Sequence, residues 1–295
     1  KMMNHWLQYK QPDGSYSCTP NYFAHELRTG FETYTHVNMY NTLGMVGLAV
    51  TQKILAQGNK QKFIAGKPFI PEKNQYMDEQ SGYVFWRNNE LFFGAALRMH
   101  AQKYGPAMQG FHYRLGTRRL PIPEPMFKNM SKEERPLVET GIWEGYLLKG
   151  LNGESFYPDV IVNVDALWIE KGIKFTVDLD GFSCEKQIIL EDNKIIWRYK
   201  LKFYKSFQSC SHILPVLMHD GKHGTRWFER SPNQLECLYD NSTYLISCNI
   251  AKKMSLSLHR SLSSVSGLAT QIRINISECI QPGEVLEWST QLRRE

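Results

Sequence analysis

The sequence lacks the long apolar runs and the short motifs that identify several common classes of protein. No stretch of eighteen apolar residues occurs in the 295 residues, so we predict no membrane-spanning helix. Neither GxSxG nor GxxxxGK[ST] is present, which argues against a nucleophile-elbow hydrolase and a P-loop nucleotide-binding protein. The sequence also contains no recognisable nucleic-acid-binding module, so we predict no nucleic-acid partner.

Cysteine is scarce and is not arranged as a redox pair or a metal site. No two cysteines form a CxxC pair and no set has zinc-site spacing, so we expect buried free thiols. This usage neither requires nor excludes secretion. The six cysteines are Cys18, Cys184, Cys210, Cys237, Cys248 and Cys279.

One histidine-containing segment invites a metal interpretation. His219 and His223 are four residues apart, with His212 upstream. Histidines at this spacing converge on a metal only when they lie on a helix, and Gly221 between them indicates a turn. The sequence therefore favours a polar loop, and we predict no metal and no cofactor.

Acidic residues are absent from Leu91 through Pro123, within a chain whose net charge is +6. A local field of one sign favours an anionic partner, whether a polyuronate, a sulfated glycan or a nucleic acid. A solvated basic face is the alternative. The basic residues and histidines of this stretch are Arg98, His100, Lys103, His112, Arg114, Arg118 and Arg119.

Residues 67–295 have the pattern of an antiparallel β domain. Segments 82–87 and 90–95 flank Asn88-Asn89, which predicts a β-hairpin. Many short strands with regular turns between them predict a large antiparallel β-sandwich in a mostly β chain. The further predicted strands are 111–116, 160–169, 174–178, 185–191, 194–203, 234–238, 243–247, 256–260, 269–277 and 284–291.

Residues 1–66 have helical patterns instead. One helix is predicted over residues 1–10, and a second begins with the capping box formed by Thr29 and Glu32 and ends before Gly58. Two helices cannot form a domain alone, so we expect the end of a multi-helix array. We therefore expect the chain to be the later part of a longer precursor, with an N-terminal helical part as its partner.

The second predicted helix carries a dense polar and aromatic stretch. Its sequence is Glu32-Thr33-Tyr34-Thr35-His36-Val37-Asn38-Met39-Tyr40-Asn41. A helical array that ends in this stretch and continues into a large β domain resembles the α/α-toroid plus β-sandwich polysaccharide lyases, the heparinase II/III-like proteins. The resemblance implies a cleft between toroid and sandwich, an acidic polysaccharide or oligosaccharide as substrate, and a periplasmic or extracellular location.

The chemistry implied by this resemblance is β-elimination beside a uronate carboxylate. Asn38 or Asn41 would neutralise the carboxylate, His36 would act as base, and Tyr34 or Tyr40 would act as acid. In the alternative interpretation Tyr40 belongs to a helix core, Asn41 bridges helices and His36 is a buried imidazole.

Substrate binding is expected from Asn41 and from basic residues on both sides of the cleft. Arg28 precedes the second helix and can bind a carboxylate with two hydrogen bonds, although an ion pair with Glu26 or Glu32 explains it equally well. His112, Arg114, Arg118 and Arg119 form the densest basic cluster of the β domain. Solubility or an interface with absent helices is the alternative for that cluster.

The hypothesis from the sequence is a polysaccharide lyase that acts on a uronate-containing polysaccharide. Two other functions stay open. One is a toroid-family glycoside hydrolase with Glu32 as its acid, although a second carboxylate in register is not evident. The other is a non-catalytic glycan-binding or structural portion of a larger enzyme.

Overall fold

The computed structural model separates the chain into two units, Lys1–Asn74 and Gln75–Glu295. Of the first unit only Lys53 is described. Apart from Lys53, the predicted helices of residues 1–66 and the predicted boundary after residue 66 lie outside the described residues and stay predictions. In the second unit the described residues are 75–80, 82–87, 91–98, 108, 110–115, 118–123, 143–157, 164–191, 193–220, 222–250, 252–256, 262–264 and 267–295.

The described part of the second unit consists of β-strands joined by turns. The strands in the first half are β1 (Gln75–Asp78), β2 (Tyr83–Arg87), β3 (Leu91–Ala96), β4 (Gly110–Leu115), β5 (Arg118–Arg119), β6 (Gly145–Lys149), β7 (Ser155–Phe156), β8 (Asp165–Ile169), β9 (Gly172–Leu179) and β10 (Phe182–Glu191). Those in the second half are β11 (Lys194–Phe203), β12 (Phe207–His219), β13 (Arg226–Ser231), β14 (Gln234–Tyr239), β15 (Ser242–Cys248), β16 (Met254–Leu256), β17 (Leu262–Ser264), β18 (Gly267–Ile280) and β19 (Val285–Arg294). No helix of the described residues is long and apolar enough to cross a membrane.

These strands form three antiparallel sheets. The five-stranded sheet has the order β1-β2-β3-β4-β5. The eight-stranded sheet has the order β13-β14-β15-β19-β11-β10-β9-β8, and the six-stranded sheet has the order β16-β18-β12-β6-β7 with β17 beside β18. The prediction of a mostly β chain with a large antiparallel sandwich is confirmed.

Alternation along the strands sets the two faces of the eight-stranded sheet. In β11, Trp197, Tyr199 and Leu201 are buried, whereas Arg198 and Lys200 between them are exposed. Successive side chains of a strand point to opposite faces, so one face of the sheet packs against the core and the other meets solvent.

Aromatic contacts join the inner faces of the eight-stranded and six-stranded sheets. Phe182 of β10 makes edge-to-face contacts with Tyr146 of β6 at 5.3 Å and with Phe207 of β12 at 5.8 Å between ring centroids. Burying a phenylalanine side chain contributes about 1.5–3 kcal/mol, and each favourable ring pair adds about 0.5–1.5 kcal/mol. These contacts hold the two sheets together as a sandwich.

The five-stranded sheet joins the same hydrophobic core. Val84 of β2 and Phe93 of β3 are fully buried in the cluster that includes Ile188 of β10 and Trp197 of β11. The hairpin formed by β2 and β3 confirms the strand pair predicted around Asn88-Asn89.

Candidate functional site

The predicted catalytic residues Tyr34, His36, Asn38 and Tyr40 lie outside the described residues. The same is true of the predicted substrate-binding residues Arg28 and Asn41. Their roles therefore stay predictions, and of the predicted site residues the structure describes the backbone positions of His112, Arg114, Arg118 and Arg119.

The predicted arginine cluster lies at the β4–β5 end of the five-stranded sheet. Arg114 of β4 stands opposite Arg119 of β5, and Leu115 stands opposite Arg118. Directly opposed residues of an antiparallel pair occupy one face of the sheet, so positions 114 and 119 share a face. The fold thus adds a cross-strand pairing to the closeness of these positions in sequence.

A β-bulge lies at the predicted binding residue His112. Arg114 pairs with Phe92 and Phe111 pairs with Gly94, so three residue steps on β4 correspond to two steps on β3. Such a bulge bends the strand, and bulges are frequent beside functional sites. Nothing in the sequence pattern predicts this irregularity.

The histidine-containing segment divides into a strand and a turn. His212 lies in the middle of β12 and is fully buried, so it is remote in environment from the turn that begins after His219. The polar-loop interpretation therefore holds for Asp220, Lys222 and His223, but it is wrong for His219, which is the last residue of β12.

Asp220 is the hydrogen-bond acceptor that organises this turn. Its carboxylate accepts hydrogen bonds from the backbone N–H groups of Lys222 (2.7 Å) and His223, and from the Tyr239 hydroxyl at 2.8 Å. Burial alone would raise the pKa of the Asp220 carboxyl, but these hydrogen bonds outweigh it and lower the pKa.

The His223 imidazole lies between two carboxylates. Its Nδ1 is 3.2 Å from Oδ2 of Asp220, and its Nε2 is 3.7 Å from Oδ1 of Asp240. The ring borders a cavity of about 370 Å³ that Arg226 and Thr243 also line. Among the described residues, no three histidine, cysteine, aspartate or glutamate side chains converge as a metal-binding group.

A second cavity, of about 340 Å³, lies on the solvent face of the eight-stranded sheet. We call it the outer groove. It lies across β10, β11 and β19. Its charged and polar side chains come from the outward positions of these strands and from Asn249, which follows β15. The outer groove is lined by Glu185, Gln187, Arg198, Tyr199, Lys200, Asn249, Glu287, Trp288 and Ser289.

A charged network is buried on the opposite face of the same sheet. The Lys186 ammonium donates to the Glu144 carboxylate and to the carbonyl oxygen of Met108 at 2.7 Å, and the Tyr199 hydroxyl donates to the same carboxylate. Burial raises the pKa of the Glu144 carboxyl, against the lowering effects of Lys186 and Tyr199.

Sequence reasoning missed both the outer groove and this network. The signal for the network was present, because Lys186 occupies an inward position between Cys184 and Ile188 on β10. A charged residue at an inward position needs a buried partner. The outer groove had no comparable signal, since its residues have the pattern of an ordinary solvated face.

Comparison with known proteins gives a likeness of fold. The chain is similar to a mutant of the heparan sulfate lyase HepC from Pedobacter heparinus, with a TM-score of 0.57 and 12% identity over 99% of this chain and 46% of that chain. It is also similar to the heparinase III BT4657 gene product, with a TM-score of 0.54 and 11% identity over 100% of this chain and 45% of that chain. The chain thus spans less than half the length of these proteins. No protein-family model and no curated protein matches the sequence.

Proposed function

We propose that this chain is the later part of a polysaccharide lyase that cleaves a uronate-containing polysaccharide by β-elimination. The observation that carries the proposal is the likeness of fold to the heparan sulfate lyase, which extends over 99% of this chain. That range includes the stretch with His36 and the basic β4–β5 edge. The proposal includes a preceding helical part of the same protein and a periplasmic or extracellular location, where such polymers occur.

The proposed reaction needs three roles. Asn38 or Asn41 neutralises the uronate carboxylate, which makes the proton on C5 acidic enough to remove. His36 takes that proton, the C4–O bond breaks as the C4=C5 double bond forms, and Tyr34 or Tyr40 protonates the leaving oxygen. Atoms and charge balance without a cofactor.

The β domain is proposed to hold the acidic groups of the substrate. Arg114 and Arg119 share a face at the sheet edge, with Arg118 beside them in sequence. A guanidinium binds a carboxylate or sulfate through two parallel hydrogen bonds, and it keeps its charge at every physiological pH. The β-bulge at positions 112 and 113 directly precedes Arg114 on β4.

The test is ultraviolet absorbance of the unsaturated product during incubation of the chain with uronate-containing and sulfated glycans. We expect the absorbance to rise with an acidic glycan. The rate of this rise should be about 10²- to 10⁴-fold lower in His36→Ala and in Tyr34→Phe. Lys53→Ala, which changes an exposed residue of the same unit, is the matched control and should retain the wild-type rate.

The other outcomes identify the alternatives. New reducing ends without the absorbance would overturn elimination in favour of a hydrolase with Glu32 as acid. Salt-sensitive retention on an anionic-glycan column, with neither product, would identify a non-catalytic binding portion. A rise in absorbance unaffected by His36→Ala and Tyr34→Phe would keep the reaction class and overturn the site.

A further inference from the structure

We propose that the outer groove binds an anionic sugar unit, with Arg198 holding its carboxylate or sulfate group. This site is additional to the proposed catalytic one. The identity of the ligand as part of an acidic polysaccharide rests on the proposed function. The site itself is argued from the charges of the described residues.

The strand register places the outward side chains in two cross-strand rows. In one row Glu185, Lys200 and Glu287 stand opposite one another on β10, β11 and β19. In the neighbouring row Gln187, Arg198 and Ser289 do so. Opposed side chains on one face of a sheet are direct neighbours, so each row acts as a set.

Lysines already neutralise the carboxylates of the first row. Lys200 is 2.7 Å from Oε1 of Glu287, and Lys174 is 3.4 Å from Oε2 of Glu185. The Glu287 hydrogen bond and charge, together with the more distant Glu185, raise the pKa of the Lys200 ammonium. This row is therefore internally compensated.

Arg198 in the second row is not compensated in this way. Its cross-strand neighbours Gln187 and Ser289 are neutral, and among the described residues no carboxylate lies within ion-pair distance of it. It acts through space on Glu191, but the carboxylate of Glu191 is paired with Lys194 at 2.7 Å. An exposed guanidinium with neutral neighbours in a concave site is suited to an anion that arrives from solution.

The groups around Arg198 suit the hydroxyls of a sugar. The side-chain amide of Gln187 is oriented by a 2.9 Å hydrogen bond to Glu185. Asn249 is fixed because its Oδ1 accepts a 2.7 Å hydrogen bond from the backbone N–H of Ser289. Amides that the protein already orients can donate to and accept from ligand hydroxyls with little loss of side-chain entropy.

The volume of the outer groove and the chemistry of its lining restrict the class of ligand that it can bind. The volume of about 340 Å³ is near the lower end of the range for small-molecule sites, about 300–1,000 Å³. The aromatic residues in the lining, Tyr199 and Trp288, are buried at 3% and 2% exposure, so they offer no ring face for a nucleobase. A short anionic glycan segment therefore fits better than a nucleic acid.

The experiment measures binding of a glucuronate-containing tetrasaccharide by titration calorimetry, with the full chain carrying His36→Ala. The parallel probes are a neutral glucose tetrasaccharide and a sulfated glucose tetrasaccharide that contains no uronate. We expect the acidic probe to bind and the neutral one not to, and the sulfated probe will distinguish a general anion site from a carboxylate site. In the same background, Arg198→Gln should weaken binding about ten- to a hundredfold, because it removes charged hydrogen bonds.

Lys202→Gln is the matched control. Lys202 is an exposed cation on the same face of β11 and lies outside the groove lining. Its removal should change affinity less than twofold, and Arg198→Lys should bind with an intermediate affinity because it keeps the charge and loses the planar fork. Unchanged melting temperatures would exclude unfolding as the cause.

Three results would overturn the groove assignment: no binding of either anionic probe, equal losses for Arg198→Gln and Lys202→Gln, or no loss for either. Failure of this proposal and failure of the proposed function are distinguishable. Arg198-dependent binding without ultraviolet absorbance would refute the lyase and keep the groove. A rise in absorbance together with binding that does not depend on Arg198 would support the lyase and refute the groove.

Discussion

His212 shows how burial fixes the protonation state of one side chain. The ring is fully buried between the sheets, where it lies 5.4 Å from the Tyr199 ring and 5.9 Å from the Trp288 ring between centroids. Its Nδ1 lies 2.9 Å from the carbonyl oxygen of Gly145, so Nδ1 carries the proton and donates it. Burial lowers the pKa of His212 to about 3; Lys186 acts in the same direction, and the Gly145 hydrogen bond opposes them.

This shift predicts acid destabilisation that begins near neutral pH. The folded chain keeps His212 neutral down to about pH 3, whereas the unfolded chain protonates the residue near the ordinary histidine pKa of 6.5. The unfolded state therefore binds more protons between these values. The contribution of His212 to the unfolding free energy is fully present above pH 6.5. It is lost as the pH falls towards 3, by about 1.4 kcal/mol per pH unit.

His212→Asn isolates this contribution, because asparagine retains an N–H donor for Gly145 and does not titrate. We expect the variant to be less stable than the wild type at pH 7, and we expect the difference in unfolding free energy to shrink as the pH falls from 6.5 to 4. Urea titrations across that range measure it. Parallel pH curves for the two proteins would show that His212 is protonated in the folded state.

At the scale of the elements, Gly172 sets how closely β9 and β10 approach. A Cβ atom at this position would overlap the carbonyl oxygen of Ile188 on the paired strand. Because the obstacle is backbone, it cannot move aside without breaking the register of Gly172 with Ile189. We expect Gly172→Ala to lower the unfolding free energy by about 1–3 kcal/mol, as other overpacked sites do.

Two other glycines separate this clash from general effects of the substitution. Gly150→Ala places its Cβ 3.4 Å from side-chain atoms of Glu154 and Phe156, so it should be neutral or stabilising by up to about 1 kcal/mol. Gly283 has a φ of +89° in open space, so alanine there should cost only the left-handed strain of about 1–2 kcal/mol. Denaturant unfolding of the three variants compares them, and equal stability of Gly172→Ala and Gly150→Ala would contradict the clash.

The elements that the sequence predicted best are hairpins with clear alternation and clear turns. The bounds predicted for β11 coincide with Lys194–Phe203, and the predicted strand at 185–191 lies within β10. The turn between them has the polar residues expected of a hairpin loop. Local pattern suffices here because both strands have one buried and one solvated face.

The strand β12 was not predicted, although it lies at the centre of the six-stranded sheet. Pro215 interrupts its apolar run, and a proline argues against a central strand because it has no N–H to donate. The structure resolves the conflict, because β6 pairs with β12 only as far as Ile213. Beyond that point the N–H of Leu217 bonds to the carbonyl of Pro121, so Pro215 lies where β6 has ended. Such a long-range circumstance cannot be inferred from local pattern.

The sequence predicts one part of the candidate site and not the other. Closeness of Arg114, Arg118 and Arg119 follows from sequence, and the fold adds their cross-strand pairing. The outer groove depends on the register of three strands that are distant in sequence. Only that register reveals that Arg198 stands directly opposite Gln187 and Ser289 and not directly opposite a carboxylate.

At the scale of the whole molecule, the ammonium group of Lys186 links all three sheets of the second unit. Lys186 belongs to β10 in the eight-stranded sheet, and Glu144 immediately precedes β6 in the six-stranded sheet. The Met108 carbonyl lies two residues before β4, and the Met108 N–H bonds to Ala96 at the end of β3. One buried cation thus joins two segments that precede it in the sequence by 78 and 42 residues.

Lys186→Met is therefore predicted to lower the unfolding free energy more than the other substitutions proposed for polar residues of the second unit. It leaves the Glu144 carboxylate buried without its cation, which typically costs about 3–5 kcal/mol. Adding Glu144→Gln should recover part of the loss, because the double variant holds no uncompensated charge. Lys174→Met is the control, since the pair of Lys174 with Glu185 is about 30% exposed and contributes at most about 1 kcal/mol.

The position of the strands that exchange faster in Lys186→Met tests whether Lys186 links the sheets. This test is separate from the loss of overall stability. If Lys186 holds the five-stranded sheet to the sandwich, hydrogen exchange in Lys186→Met should accelerate more in β2 and β3 than in β10 and β11. Peptide-resolved exchange measures this, with Lys174→Met as the reference. Uniform acceleration in all three sheets would mean that they unfold as one unit and that the link at Lys186 has no separate role. Selective acceleration in β2 and β3 would show that the hydrogen bond from the Lys186 ammonium to the Met108 carbonyl holds the five-stranded sheet to the sandwich.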